Sequence, residues 1–93
     1  MKLKFTKGFR EKLRDQVEFI AKDKPRAAKK FRTDLISQIK DVPSLPKKHR
    51  KSVYFKDESV RDLIFKGYTV VYRIVDEKDE IQVFGFVKYQ EKL

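Results

Sequence analysis

Hydrophobic and polar residues alternate over the first five positions and then change to a helical spacing. In Lys2-Leu3-Lys4-Phe5 the period is two, which predicts a short strand with one buried face. Thr6 follows as a candidate helix N-cap. Apolar residues then recur at spacings of four, four and three, which predicts an amphipathic helix ending near Ala21. This apolar stripe consists of Phe9, Leu13, Val17 and Ile20.

A second amphipathic helix is predicted to begin at Pro25, because proline is favoured at the first position of a helix. Pro43 ends it, since proline lacks the amide hydrogen that a continuing helix needs. The apolar stripe between them consists of Ala28, Phe31, Leu35, Ile39 and Val42. The break between the two helices is short, so we expect an antiparallel helical hairpin.

After residue 50 the apolar period shortens to about two, which predicts strands. The predicted strands are residues 53–55, 60–65, 68–75 and 81–87. Lys66-Gly67 and the acidic segment 76–80 are predicted turns, and the short connections favour an antiparallel meander. The order β-α-α-β-β-β therefore predicts one small α+β domain over residues 1–93, with one face of the sheet packed on the helical hairpin.

Two positions in the last strands stand out from the regular pattern. Arg73 is a charged side chain in an apolar strand and must reach solvent or a partner. Gly85 is expected to mark a bulge or a close approach of two backbones. Phe84 and Phe86 are two residues apart, so strand alternation predicts a shared face. We expect both of them, with Phe31, to lie in the core.

The 93 residues carry 24 Lys and Arg against 14 Asp and Glu, a net charge of +10. Residues 1–50 hold 16 of the basic and 6 of the acidic side chains, so the whole excess lies there. Such a field favours a polyanionic partner: nucleic acid, an acidic protein segment or anionic lipid headgroups. The alternative is a solvated basic surface that keeps the chain soluble. Lys22, Lys29, Lys30, Arg32 and Lys40 lie on the predicted polar faces of the helices.

Cysteine is absent, which excludes disulfides and thiolate metal sites and suits a reducing compartment. The first residues contain no apolar run typical of a signal peptide, and no segment approaches the roughly 20 apolar residues that span a bilayer. We therefore expect a cytoplasmic protein that does not act in a membrane.

A basic loop is predicted directly after the helices. Its candidate nucleic-acid-binding residues are Lys47, Lys48, His49, Arg50 and Lys51. These cations suit phosphates, while Tyr54 and Phe55 either stack a base or fill the core. The neighbouring cations are expected to lower the pKa of His49, which fits either a general base or a solvated loop histidine.

Common catalytic motifs are missing from the chain. GxGxxG, Walker, HExxH and GxSxG sequences do not occur, and His49 is the single histidine. No metal site and no cofactor are therefore expected.

The segment VRDL…GYTVVYRI, from Val60 to Ile74, resembles the RelE/ParE superfamily of toxins from bacterial toxin–antitoxin pairs. An acidic turn and a strand ending in Val87-Lys88-Tyr89 follow, and the second helix begins with Pro25-Arg26-Ala27-Ala28, which also fits. The resemblance covers nearly the whole chain. It implies a toxin of a type II module that is neutralised by a cognate acidic antitoxin.

The resemblance implies two kinds of target. RelE-like members cleave mRNA in the ribosomal A site without a metal, and ParE-like members lack the catalytic set and poison DNA gyrase. The candidate catalytic residues are Arg61, Arg73, Lys88 and Tyr89. Thr69 stands where the nucleases hold a catalytic arginine that stabilises transition-state charge. We expect mRNA cleavage, with gyrase inhibition or a decayed basic interaction protein as alternatives.

Overall fold

The computed structural model describes residues 1–88. Its helices and strands are β1 (Lys2–Phe5), α1 (Lys7–Ala21), α2 (Pro25–Lys40), β2 (Arg50–Lys51), β3 (Val60–Phe65), β4 (Tyr68–Val75) and β5 (Glu80–Lys88). Short 3-10 turns lie at Val42–Ser44 and Asp76–Lys78. The α+β class is confirmed. No helix of this part of the chain is long and apolar enough to cross a membrane.

The two helices begin where local chemistry predicts, and α2 ends at Lys40, before the predicted stop at Pro43. The Thr6 hydroxyl accepts a hydrogen bond from the amide of Phe9 at 3.1 Å, which caps the first turn of α1. Pro25 opens α2. The apolar stripe of α2 is buried along its length, with Leu35 and Ile39 fully covered.

The five strands form one sheet in the order β1-β5-β4-β3-β2. Strand β1 runs parallel to β5, and the other neighbours are antiparallel. Lys66 and Gly67 join β3 to β4 with φ values of 46° and 82°. Positive φ at both turn residues is typical of the tight hairpin that matches strand twist.

The core lies between the helical hairpin and one face of the sheet, as the sequence predicts. Phe9 and Phe31 from the helices contact aromatic rings of the strands. Tyr72 and Leu63, both fully buried, supply the centre of the sheet. The opposite face of the sheet is covered in part by the segment between β2 and β3.

The predicted strand at residues 53–55 is wrong. Of residues 50–55, Arg50 and Lys51 alone pair with β3, and Val53, Tyr54 and Phe55 lie in an exposed loop. The amide of Val53 donates to a side-chain oxygen of Asp62 rather than to a neighbouring strand. A buried carboxylate therefore takes the donor that a β-ladder would have used.

The shared face of Phe84 and Phe86 is also wrong. The register between β4 and β5 shifts where Val71 pairs with Gly85 and Tyr72 pairs with Val83. This bulge reverses the alternation, so Phe86 packs on Phe9 in the core while Phe84 lies half-buried on the other face. Gly85 marks the bulge, as predicted.

Candidate functional site

The basic loop, defined as residues 47–56, is held on the edge of the sheet by side chains of β3 and β4. Arg61 donates from Nη1 to the carbonyl of His49 at 3.1 Å and from Nε to the carbonyl of Glu58 at 3.0 Å. The Tyr72 hydroxyl donates to the carbonyl of Pro46 at 2.6 Å. These bonds fix the loop at both ends.

Asp62 holds the middle of the basic loop. Its side chain is fully buried, and Oδ2 accepts from the amide of Val53 at 3.0 Å and from Nε of Arg50 at 3.3 Å. Oδ1 has no hydrogen-bond partner within residues 1–88. Because an unpaired buried carboxylate is costly, the contact with Arg50 ties the loop to the sheet.

Sequence reasoning missed the roles of Asp62 and Tyr72. An acidic residue inside the apolar strand Val60–Phe65 was the available signal for Asp62, since such a group needs a buried partner. The hydroxyl of Tyr72 gave no sequence signal, because its acceptor lies 26 residues away in the chain.

The basic side chains of the loop are exposed to solvent. Lys47, Lys48, Arg50 and Lys51 are all exposed. Tyr54 is 50% exposed, so it does not fill the core. Phe55 remains 43% exposed while its ring contacts Phe84 at 5.5 Å between centroids. The structure therefore presents cations and an aromatic ring on one short segment.

His49 lies half-buried beside Tyr72, with ring centroids 6.1 Å apart. Burial lowers the pKa of His49, and the charge of Lys48 lowers it further. The direction agrees with the sequence prediction, but desolvation is the larger cause. The neutral imidazole is favoured in the folded protein.

The structure disperses the candidate catalytic residues. Arg61 lies on the helix side of the sheet, opposite Tyr72, with its guanidinium bonded to loop carbonyls. Arg73 pairs with Gln82 on the other face, and its guanidinium carbon lies 5.2 Å from the ring centroid of Phe84. Facing residues of paired strands point to the same side of the sheet, so Arg61 shares the side of Tyr72. Arg73 follows Tyr72 in β4, and consecutive side chains of a strand alternate, so Arg73 points to the opposite side from Arg61.

Lys88 lies far from Arg73 along the sheet. It pairs with Tyr68 at the other end of β4, about 17 Å along the strand from Arg73 at ~3.4 Å per residue. Its ammonium nitrogen is 5.9 Å from the ring centroid of Phe19 on α1. Tyr89 lies outside the described residues. The catalytic role of these four residues stays a prediction.

Thr69 occupies the same face of β4 as Arg73 and is 6% exposed. Its neighbours across the two ladders are Ile64 and Val87. A short neutral side chain in this position supplies no positive charge to a phosphate. Among residues 1–88, no three His, Asp or Glu side chains are grouped closely enough to hold a metal ion.

A separate groove of about 590 Å³ lies between β1, α1 and α2. We call it the hairpin groove. Apolar side chains from all three elements line it, including Phe5, Leu13, Val17 and Ile36. Its basic lining residues are Arg10, Arg14, Arg32 and Lys40, and Glu18 is the acidic one. The sequence predicted basic helix faces without a groove, since the groove exists only where the hairpin packs beside β1.

The chain matches the family model of the ParE toxin of the type II toxin–antitoxin system parDE over residues 3–92. The chain belongs to this family. It is therefore a ParE-like toxin whose partner is a cognate antitoxin, as the resemblance implied. No curated protein matches the chain by sequence.

Solved structures agree on the fold. A chain of the chromosomal ParDE toxin–antitoxin system from P. aeruginosa superposes with a TM-score of 0.81 at 21% identity, covering 97% of each chain. The isolated E. coli RelE toxin superposes with a TM-score of 0.64 at 17% identity, covering 98% of this chain and 86% of the RelE chain. A chain of the intact E. coli RelBE complex superposes with a TM-score of 0.62 at 17% identity, covering 97% of this chain and 98% of the RelBE chain.

Proposed function

We propose that this ParE-like toxin arrests growth by inhibiting DNA gyrase and does not cleave RNA. The carrying observation is the dispersal of the candidate catalytic groups, with Arg61 and Arg73 on opposite faces of the sheet. Metal-free phosphodiester cleavage needs an acid, a base and a charge stabiliser around one phosphate.

The environment of each arginine supports the same proposal. Arg61 already donates to the backbone carbonyls of Lys47 and His49 in the basic loop and to that of Glu58 just after it, so its guanidinium is committed to the fold. Thr69 supplies no guanidinium where the nucleases hold one. A protein that inhibits by binding needs surface complementarity rather than a converging catalytic set.

Ribosome-dependent mRNA cleavage is the second candidate. It is favoured by the neutral form of His49, which is suited to proton abstraction, inside a loop of phosphate-seeking cations. In this alternative the candidate catalytic residues act on the ribosome-bound message. They are Arg61, Arg73, Lys88 and Tyr89.

The hairpin groove is the proposed docking surface for the antitoxin. An apolar floor suits the apolar face of an amphipathic helix, and the surrounding arginines suit its acidic residues. An acidic antitoxin would neutralise part of the +10 net charge of the toxin.

Two assays separate the candidates. Purified toxin is added to gyrase and supercoiled plasmid, and trapped cleavage complexes are counted as linear DNA after detergent and protease. Primer extension on mRNA from cells expressing the toxin reports cleavage in translated frames. We expect linear DNA and intact mRNA, with both growth arrest and linear DNA abolished by added antitoxin.

Codon-phased mRNA cuts with no gyrase complexes would contradict the proposal and select the nuclease. Arg73→Ala is the informative variant, because Arg73 belongs to the candidate catalytic set and lies outside the hairpin groove. Growth arrest that persists in this variant supports inhibition without catalysis. If the variant loses both the growth arrest and the mRNA cuts, the nuclease is supported.

A further inference from the structure

The basic loop combines positive charge with exposed rings and contains no acid. Its sequence KKHRKSVYFK holds five lysines and arginines and no aspartate or glutamate. Two of these cations have acidic partners within residues 1–88: Arg50 lies 3.2 Å from buried Asp62, and Lys51 lies 3.6 Å from exposed Glu58. The exposed Lys51 pair is weak and opens readily to another anion. Lys47 and Lys48 have no carboxylate within 4.0 Å among the described residues.

Tyr54 lies at the exposed part of this loop. Its side chain is half exposed, and its own amide donates to the Ser52 hydroxyl at 3.1 Å, which holds the backbone beneath the ring. The ring of Phe55 packs against the ring of Phe84, so part of its surface is already in contact with the protein. Tyr54 is therefore the aromatic ring with room to stack on a base.

The loop is also held in one shape before any partner arrives. Tyr72 holds Pro46 directly before the loop, and within the loop Arg61 holds His49 and Asp62 holds Arg50 and Val53. A surface that is already ordered loses less conformational entropy on binding than a mobile loop. This order distinguishes the segment from a solvated charge run.

We propose that the basic loop is a binding surface for single-stranded DNA, with Lys47 and Lys48 on the phosphates and Tyr54 stacked on an unpaired base. Lysine contacts neutralise the backbone, and an aromatic ring holds any base through its π-face. The choice of DNA rests on the proposed function, because a gyrase cleavage complex carries broken, locally unpaired DNA. The loop then contacts the DNA of that complex.

The test is fluorescence anisotropy of the full chain with labelled single-stranded DNA and RNA of one sequence at several salt concentrations. Wild-type protein should bind DNA at least as tightly as RNA. The double variant K47Q/K48Q should lower the slope of log affinity against log salt by about 1.4, at ~0.7 per phosphate. The matched control K22Q/K29Q removes the same charge from exposed positions on the helical hairpin and should leave the slope near wild type.

Tyr54 is tested by a pair of variants. Tyr54→Ala should weaken DNA binding by about tenfold, since the variant loses the stacking of one base. Tyr54→Phe keeps the ring and should bind as wild type does. Tyr54 is exposed, so neither substitution puts the fold at risk.

Three results would overturn the assignment: equal slopes for the two double variants, unchanged affinity in Tyr54→Ala, or tighter binding of RNA than of DNA. The gyrase assay of the preceding section reports separately on the proposed function. Wild-type toxin that traps no gyrase refutes that function whatever the oligonucleotides show. If wild-type toxin traps gyrase but K47Q/K48Q and Tyr54→Ala bind oligonucleotides as wild type does, the proposed role of the loop is refuted and the proposed function stands.

Discussion

His49 connects the chemistry of one side chain to the stability of the whole loop. Its ring lies between solvent and Tyr72, and its carbonyl accepts from Arg61. Burial and Lys48 both disfavour the imidazolium, so the pKa lies below its ordinary value of 6.5. Protonation therefore opposes the folded position of this residue.

The first prediction is a pH dependence of stability. The unfolded chain binds the His49 proton more tightly than the folded protein, so acidification favours unfolding. The stabilising contribution is present above pH 6.5 and is lost as the pH falls through the lower pKa of the folded protein. Urea unfolding of wild type should show a lower midpoint at about pH 5.5 than at about pH 7.5.

The variant His49→Gln provides the control. It removes the single histidine of the chain, so the difference between the two pH values should shrink. An undiminished difference would assign the pH dependence to other groups and contradict this account of His49.

At the scale of elements, the bulge between β4 and β5 decides which side chains enter the core. It sends Phe86 towards α1 and Phe84 towards the basic loop. The bulge depends on a close approach, since a Cβ atom on Gly85 would lie 2.9 Å from Cβ of Val71. Strand alternation alone predicts neither the bulge nor its effect on the two rings.

The second prediction concerns Gly85. Gly85→Ala should lower the free energy of unfolding by about 1–3 kcal/mol, because Val71 or the backbone must move to admit the methyl group. Gly8→Ala is the matched control: it lies in α1, and a Cβ there meets nothing within 4 Å. The control should gain up to ~1 kcal/mol from helix propensity. Equal stability of the two variants in urea unfolding would contradict the close approach.

At the scale of the whole molecule, two separate surfaces each hold part of the positive charge of the first half. One part lines the hairpin groove, and the other lies on the basic loop at the β2 edge of the sheet. The loop is held by β3 and β4, whereas the groove is formed by β1 and the helices. The surfaces proposed for the antitoxin and for the target therefore lie in different parts of the described structure.

The third prediction separates these surfaces. The double charge reversal R14E/R32E should weaken antitoxin binding by about tenfold or more, because like charges then face an acidic partner. Growth arrest in the absence of antitoxin should persist, since the basic loop is untouched. Calorimetric titration with the cognate antitoxin and growth curves measure the two effects.

K22E/K29E makes the same charge change outside the residues that line the groove. If it weakens antitoxin binding as much as R14E/R32E does, the effect comes from net charge and the groove is not the docking surface.

The sequence alone determined the elements whose causes are local. Thr6 and Pro25 mark helix starts through hydrogen bonding and backbone geometry, and the apolar stripe that begins at Ala28 predicts the buried side of α2. The VRDL and GYTVVYRI segments were enough to indicate the toxin superfamily, which the family match confirms. Such signals depend on neighbours within a few residues, so they can be read along the chain.

Tertiary structure decided what depends on distant groups. Asp62 draws Val53 out of a strand, and Gly85 against Val71 changes the face of Phe84. The guanidinium of Arg61 donates hydrogen bonds to the carbonyls of Lys47 and His49, twelve or more residues away, and the linear sequence cannot show these contacts. The positive charge is a property of the composition, but the gathering of part of it in the groove and on the loop is a property of packing.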